Sequence, residues 1–298
     1  MVYLGAILRP NSAILTRLDA QDSSLAMSHP LVTVASRAAQ TAGNLMLRYL
    51  ERIDTLRIED KGQHDFVSEV DRLCERTIVE AVQKAYPEHG ILAEEGTNIP
   101  NTETLWIIDP LDGTTNYLHG FPVFAVSIGI QVRGKLEHAV VFDPLRNEMF
   151  VASRGAGAAL NNRRLRIRRQ QGVNGALLGT GFPYRSLATD PERRQSYLNM
   201  FTSLLPITAG IRRAGSAALD LAYVAAGRLD GFWEAGLKPW DMAAGLLLVQ
   251  EAGGFVSDFN GGEDCLGTGH VIAGAPAVQR ELLELFQAER TRSCWATR

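Results

Sequence analysis

Residues 106–116 read Trp-Ile-Ile-Asp-Pro-Leu-Asp-Gly-Thr-Thr-Asn, and the other motifs of the 298-residue chain are best understood outward from them. The three leading apolar residues predict a short buried strand that runs into Asp109, with Asp112 in the turn that follows. Pro110 fixes its own φ and biases Asp109 toward extended backbone, so the two carboxylates converge. Close like charges are unfavourable unless one is protonated or a cation lies between them, and carboxylate oxygens favour Mg²⁺, Mn²⁺ or Ca²⁺. The stretch therefore predicts a divalent metal site.

The residues after the two aspartates suit an anion. Gly113 permits close backbone approach, and the N–H groups from Gly113 to Thr115 would face an anion if a helix begins there. A metal and a phosphate would then be neighbours. Asp, Pro and Gly are also common turn residues, so an ordinary turn is the alternative interpretation of this stretch.

Two further acidic motifs stand near predicted element ends. Residues 91–93 are apolar and predict a short strand that delivers Glu94 and Glu95, although a solvated surface position is the alternative for Glu94. Pro239 suits the first turn of a helix, and Asp241 would lie in that same turn. The helix dipole alone would also explain an acid there.

The whole chain has the composition of an ordinary globular protein, with 46% hydrophobic residues and a net charge of −3. A net charge this small and negative does not favour binding of the whole protein to nucleic acid or to a membrane surface. Three cysteines without a Cys-x-x-Cys pair favour a reducing cytoplasm over a disulfide framework. Residues 1–26 make a poor secretory signal, and we expect a poorly ordered extension there, with Met27 as another candidate initiator.

The order of predicted elements favours an α+β fold. In the first half, helices over 31–49 and 71–86 precede strands at 123–132, 136–142, 148–152 and near 165–167, which indicates an antiparallel sheet covered by helices. In the second half strands and helices alternate, which indicates a mixed sheet. The predicted strands there are 176–180, 207–212, 229–234, 255–258 and 271–273, and the predicted helices are 192–205, 216–226, 239–251 and 277–286. The predicted divisions are an extension over 1–26, an α+β domain over 27–170 with most metal ligands, an α/β domain over 171–290 that completes the site, and a tail over 291–298.

Other motifs in the sequence give weaker indications of structure and function. Five arginines between Arg163 and Arg169 alternate with Leu165 and Ile167, which describes either an edge strand protected by charge or a basic patch for RNA or an acidic partner. The Gly-Ala-Gly at 155–157 does not complete a dinucleotide motif and is interpreted as a turn. His-Glu-x-x-His and Gly-x-Ser-x-Gly are absent from the sequence, which argues against a zinc hydrolase and a serine hydrolase.

As a set, these motifs resemble the inositol monophosphatase family of Mg²⁺-dependent, lithium-sensitive phosphatases. The resemblance runs from about Leu31 to Phe286. It rests, in chain order, on residues 65–71, Glu94-Glu95, residues 106–116, and Trp240-Asp241 followed by Glu251-Ala252-Gly253-Gly254. The run Gly-Ser-Ala-Ala-Leu-Asp-Leu-Ala-Tyr at 215–223 looks most like the bacterial extragenic-suppressor branch. The family fold that this implies is a layered αβαβα sugar-phosphatase-like arrangement.

The resemblance also implies roles for individual residues. Two or three Mg²⁺ ions are implied, one held by Glu94, Asp109 and the carbonyl of Leu111, and a second held by Asp109, Asp112 and Asp241. Thr114, with Asp71 behind it, is similar to the pair that orients and deprotonates the attacking water. The catalytic residues by this resemblance are Thr114, Asp71, Glu94 and Asp109, and the substrate-binding residues are Asp112, Gly113, Thr114, Ala217, Glu234 and Asp241.

The activity implied is hydrolysis of inositol-1-phosphate or a similar small polyol phosphate by a cytoplasmic homodimer. Two divalent ions about 3.5–4 Å apart suit this chemistry, because one activates water and the other stabilises the departing alkoxide. Lys61 matches a family lysine only through a gap, and residues 180–182 replace the pocket serine of animal members, so these differences affect substrate preference. The alternative function is that of a partner of RNA polymerase and antitermination factors, with catalysis secondary.

Overall fold

The structure is a computed structural model that describes residues 29–53, 58–62, 65–101, 103–182 and 190–290, with the backbone alone over 58–68. The expected extension over 1–26, the tail over 291–298 and the side chain of Lys61 lie outside this description. Within it, every helix is too short or too polar to cross a lipid bilayer.

Eight helices lie in the described ranges: α1 (Pro30–Leu50), α2 (Glu69–Ala85), α3 (Thr114–Leu118), α4 (Pro191–Leu204), α5 (Ala217–Ala225), α6 (Pro239–Glu251), α7 (Cys265–Thr268) and α8 (Pro276–Arg290). Most were predicted to within a few residues, because apolar side chains recur at helical spacing along them. In α1, for example, the buried residues are Leu31, Val32, Ala35, Ala38, Ala39, Ala42, Gly43 and Met46.

The strands form one hairpin and two larger sheets. The hairpin pairs β1 (Ile58–Gly62) with β2 (Asp65–Ser68). The large sheet has the order β10-β9-β8-β7-β6-β5-β3-β4. Its strands are β3 (Gly90–Ala93), β4 (Asn98–Ile99), β5 (Thr104–Asp112), β6 (Ala125–Val132), β7 (Lys135–Asp143), β8 (Glu148–Ser153), β9 (Gly157–Leu160) and β10 (Arg163–Arg164).

The small sheet has the order β12-β11-β13-β15-β14 and is mixed, as predicted. Its strands are β11 (Leu177–Thr180), β12 (Gly210–Arg212), β13 (Gly231–Ala235), β14 (Phe255–Ser257) and β15 (His270–Gly274). The large sheet ends at Arg164 and the small one begins at Leu177. The domain division at residue 170 stays a prediction.

Two predictions about the large sheet were wrong. The sheet is not wholly antiparallel, because β3 and β5 are parallel. The chain leaves β3, reverses into β4, and reverses again into β5 on the other side of β3, so two reversals leave β3 and β5 pointing the same way. The arginine-rich strand is also shorter than predicted, since β10 contains only Arg163 and Arg164 and the chain leaves the sheet before Ile167. Its edge position agrees with the edge-strand interpretation.

The elements stack in five layers. Helices α1 and α2 cover one face of the large sheet, and α5 and α6 lie between its other face and the small sheet, whose far side contacts α8 and, through it, α4. Because α6 is enclosed by both sheets, every residue from Met242 to Val249 is buried. One hydrophobic cluster includes Phe150 of the large sheet and Phe232 of the small one, so the two halves share a core. The layered αβαβα prediction is confirmed.

Candidate active site

Strand β5 brings Asp109 and Asp112 to the middle of the molecule. The predicted turn between them is instead a bulge, because the register with β6 shifts between Asp109, opposite Ser127, and Asp112, opposite Ala125. A bulge accommodates Pro110, which cannot donate a ladder hydrogen bond, and it re-aims the side chains around it. The Leu111 N–H donates to Oδ1 of Asp109 at 3.0 Å, which fixes that carboxylate. Both aspartates are buried.

Glu94 lies beside Asp109 because β3 and β5 are parallel neighbours. Ala93 pairs with Ile108, so the next residues of the two strands are Glu94 and Asp109. The Glu94 N–H donates to the Ile108 carbonyl at 3.2 Å, and the Glu94 carboxyl group lies close enough to Asp109 to raise the pKa of that aspartate. Two facing carboxyl groups repel each other when both are charged, and a cation between them would relieve that repulsion.

Asp112 connects the two halves of the chain. Its Oδ2 accepts hydrogen bonds from the Ser216 hydroxyl at 2.6 Å and from the Ala218 N–H at 2.8 Å, both at the start of α5. Nearby, the Asn116 amide donates to the carbonyl oxygens of Val123 and Ala214, each at 2.8 Å. These contacts hold the beginning of α5 against the end of β5.

Asp241 is the contribution of α6. It is the third residue of the helix, and its Oδ2 accepts the Lys238 N–H at 2.7 Å as half of a capping box. The helix is tied to the large sheet, since the Ser127 hydroxyl donates to the Trp240 carbonyl at 3.2 Å. Gly129 lets α6 approach closely, because a Cβ there would lie 2.7 Å from that of Ala243.

Thr114 and Asp71 form the hydroxyl and carboxylate pair expected from the sequence. The Thr114 hydroxyl lies 2.9 Å from Oδ1 of Asp71 and 3.1 Å from the Leu111 carbonyl oxygen. Asp71 is fully buried in the first turn of α2. Helix α3 begins at Thr114, and Gly113 adopts a φ of +97° at its N-cap, a conformation that glycine reaches without strain.

Burial and mutual repulsion dominate the electrostatics of these acids. Burial, followed by the charges of Glu94, Asp112 and Asp241, raises the pKa of Asp109 well above its ordinary value. Burial raises the pKa of Asp112 to about 6 against the opposing hydrogen bonds from Ser216 and Ala218. Burial and the charge of Asp112 raise the pKa of Asp241 to about 8. A site that disfavours its own negative charge in this way suits a bound cation.

The remaining expected substrate residues lie on the side of the small sheet. Ala217 is the first residue of α5 and is buried. Glu234 is on β13, where burial and then the charges of Asp220 and Asp112 raise its pKa to about 8. A side chain at Gly181 would collide with the Glu234 carboxylate, so the glycine leaves it room.

The structure thus brings the predicted acids into one interacting group, with Thr114 joined to it through Leu111. Among the described residues, no three His, Cys, Asp or Glu side chains are already gathered tightly enough to hold a metal ion. Asp109, Asp112 and Asp241 each use one carboxylate oxygen to accept a scaffold hydrogen bond. Hard oxygen donors with excess negative charge fit Mg²⁺.

Sequence reasoning missed three residues that support this group: Ser216, Asn116 and Glu75. Ser216 had a detectable pattern, because serine before an apolar run is a typical N-cap and its hydroxyl also accepts the Leu219 N–H at 3.4 Å. Asn116 acts across 98 residues of sequence, so no local pattern indicates its partner.

Comparison with known proteins agrees with the fold and site. The pattern of the inositol monophosphatase family matches residues 27–293. The Nus factor SuhB of Pseudomonas aeruginosa is 56% identical over 262 residues, which cover 87% of this chain and 96% of that protein.

Two solved structures are similar throughout. The extragenic suppressor protein suhB of Bartonella henselae has a TM-score of 0.83 at 41% identity and covers 87% of this chain and 99% of its own. The inositol monophosphatase of Anabaena has a TM-score of 0.77 at 36% identity and covers 87% and 95%. The chain belongs to the inositol monophosphatase family, and membership indicates a metal-dependent phosphomonoesterase.

Proposed function

We propose that this family member hydrolyses inositol-1-phosphate or a similar small polyol phosphate with the help of Mg²⁺. The observation that carries the proposal is the group of four interacting carboxyl groups at the junction of β3, β5 and α6, formed by Glu94, Asp109, Asp112 and Asp241. Such a concentration of acid beside the first turn of a helix suits a cation next to a phosphate.

Two or three Mg²⁺ ions would divide this group as the family resemblance implies. Glu94, Asp109 and the Leu111 carbonyl would hold one ion, and Asp109, Asp112 and Asp241 would hold a second. When bound, such ions activate water and stabilise the developing charge on the leaving oxygen. Asp109 belongs to both sets, which agrees with its central position among the interacting charges.

Thr114 and Asp71 would orient the attacking water. Asp71 accepts the hydrogen bond of the Thr114 hydroxyl, which leaves a lone pair of Oγ1 to accept a hydrogen bond from water. As the water oxygen bonds to phosphorus, its proton would pass through Oγ1 to Asp71, while the bond from phosphorus to the polyol oxygen breaks and that oxygen takes up a proton from solvent water. The buried Asp71 carboxylate already accepts a hydrogen bond from the Thr114 hydroxyl, which would place it to receive this proton.

The substrate would lie between the two halves of the chain. The N–H groups of Gly113 and Thr114 would bind the phosphate, while Asp112, Ala217, Glu234 and Asp241 would contact the polyol hydroxyls. Carboxyl groups provide both hydrogen-bond donors and acceptors when partly protonated, as the raised pKa of Glu234 allows. We also propose a homodimer in the cytoplasm, as the resemblance implies.

The test is phosphate release from inositol-1-phosphate with Mg²⁺, with and without lithium, using Asp109→Asn as the control. We expect release that lithium suppresses and that the variant lacks. Folded, Mg²⁺-bound protein that releases no phosphate from inositol-1-phosphate or from a panel of small phosphomonoesters would contradict the proposal.

A second function is favoured by the 56% identity to a protein named Nus factor SuhB. We propose that the chain also contacts RNA polymerase or antitermination factors. Candidate contact surfaces are the arginines between Arg163 and Arg169 and the pair Arg212-Arg213, in which Arg163, Arg166, Arg168, Arg169, Arg212 and Arg213 are exposed. Capture of RNA polymerase and these factors by the immobilised chain tests this proposal. No retention at any salt concentration from about 50 to 300 mM, over which the Debye length falls about 2.4-fold, would contradict it.

A further inference from the structure

Helix α2 carries two buried carboxyl groups one turn apart, Asp71 and Glu75, which are 0% and 5% exposed. Like charges four residues apart destabilise a helix, and burying them adds a desolvation cost. The burial of Asp71 is explained by the hydrogen bond that it accepts from the Thr114 hydroxyl. Glu75 is outside the set of residues assigned to metal, phosphate or polyol, so its burial has another explanation.

The Glu75 carboxylate holds the loop that follows β3. Its Oε2 accepts the Glu95 N–H at 2.6 Å, and its Oε1 accepts both the Thr97 N–H at 3.0 Å and the Thr97 hydroxyl at 2.6 Å. Hydrogen bonds to a charged group are stronger than those between neutral groups, so three of them offset much of the cost of burying the carboxylate. The three donors belong to two residues of one short loop.

The same loop carries Glu94. The turn is closed by the Ala93 N–H, which donates to the Thr97 carbonyl at 2.8 Å, and the Glu94 N–H donates to Ile108 of β5. Gly96, at a φ of +117°, lets the chain reverse. The backbone of Glu94 is therefore fixed on one side by its hydrogen bond to β5 and on the other by its neighbour Glu95, which is bound to Glu75.

We propose that Glu75 is a positioning residue that holds Glu94 in place to bind the divalent cation. This inference rests on the proposed function of the acidic group. Because Asp71 and Glu75 lie on one face of α2, the helix aligns the Thr114 hydroxyl and the Glu94 carboxylate with each other. Rotation of α2 would displace both.

Glu75→Gln separates this role from simple packing. Glutamine has nearly the same volume, but its amide nitrogen donates hydrogen bonds and cannot accept them. In either orientation, that nitrogen would lie against another donor, which is either the Glu95 N–H or the N–H and hydroxyl of Thr97. Thr97→Val is a milder variant that removes only the hydroxyl donor. Glu80→Gln is the matched control, since Glu80 is exposed on the same helix.

The primary measurement is Mg²⁺ and Mn²⁺ affinity by calorimetry without substrate, together with the Mg²⁺ dependence of phosphate release. We expect Glu75→Gln to weaken cation binding about 10- to 100-fold, the usual effect of removing a group that orients a ligand. Excess Mg²⁺ should restore most of kcat, and KM for the substrate should stay near the wild-type value. Thr97→Val should show a smaller shift in the same direction, and Glu80→Gln should show none.

The outcomes separate the two proposals. Wild-type protein that binds Mg²⁺, with a folded Glu75→Gln that binds it equally well, would overturn the positioning role alone. Lost kcat that excess Mg²⁺ does not restore would also overturn it, because that result indicates general disruption. If Glu75→Gln fails to fold, Thr97→Val decides by the same criteria. Wild-type protein that binds no Mg²⁺ would overturn the proposed function itself, and this inference with it.

Discussion

Asp109→Asn separates the metal site from the fold. Asp109 is only 1% exposed, and its Oδ1 accepts the Leu111 N–H at 3.0 Å. The Oδ1 of asparagine can accept the same bond, and its amide can donate a hydrogen bond to the neighbouring Glu94 carboxyl group. The substitution keeps the volume and removes one negative charge, so we expect a folded variant.

Without metal, the variant should be more stable than the wild type. The raised pKa of Asp109 means that folding disfavours its ionised form, so stability falls as the pH rises above the ordinary value of 3.8. At pH 7, about three pH units above that ordinary value, the wild type can have lost at most about 4 kcal/mol of folding stability through Asp109, because each pH unit is worth about 1.4 kcal/mol. The variant should therefore be more stable than the wild type at pH 7 by an amount below this limit, and the gain should vanish below about pH 4.

With Mg²⁺, the order of stability should reverse. A cation present at about 100 times its Kd stabilises the folded wild type by about 2.7 kcal/mol, and the variant loses most of this gain. Thermal denaturation in chelator and in Mg²⁺, followed by circular dichroism, measures both effects. Glu103→Gln is the control, because Glu103 lies next to the opposite end of β5 and its side chain is 69% exposed. A variant that is less stable than the wild type in chelator, and as strongly stabilised by Mg²⁺, would refute the reasoning.

Three further substitutions probe the surroundings of the acids. Gly113→Ala should cost about 1–3 kcal/mol of stability, because its φ is +97° and a Cβ would lie 2.9 Å from the Val123 carbonyl oxygen; an unchanged urea midpoint would contradict this. Ser216→Ala removes a donor to Asp112 and the cap of α5, so it should lower the free energy of unfolding by about 2–3 kcal/mol, and a loss near zero in urea titration would count against it. Glu234→Gln should raise KM for inositol-1-phosphate about tenfold with Mg²⁺ affinity retained by calorimetry, and an unchanged KM would remove Glu234 from the substrate site.

Helices and the strands bordered by clear turns were predictable because their patterns are local. Helix α6 was predicted at Pro239–Glu251, the bounds it has in the structure, since Pro239 suits its first turn and glycines follow its end. Strand β9 was missed because residues 157–160 read Gly-Ala-Ala-Leu, which has no strand-like alternation. The parallel pairing of β3 and β5 was missed because a sheet's spatial order is not a local property of sequence.

The acids of the site could be named from sequence, but the groups that hold them could not. Asp109 and Asp112 stand within one short motif, whereas Ser216 reaches Asp112 across 104 residues. Glu75 is an instructive omission. It lies four residues after Asp71, which places it on the same helical face, but only the structure shows that it is buried and that its partners are Glu95 and Thr97.

The central claim is that carboxyl groups from β3, β5 and α6 bind divalent cations together. The most direct test is to soak crystals of the protein in Mn²⁺, solve the structure, and locate the metal from its anomalous signal. We predict at least one Mn²⁺ within about 2–2.5 Å of an Asp109 oxygen, with Glu94 or Asp241 also coordinating it. Strong anomalous peaks elsewhere, with none beside Asp109 at a Mn²⁺ concentration that supports phosphate release, would contradict the account.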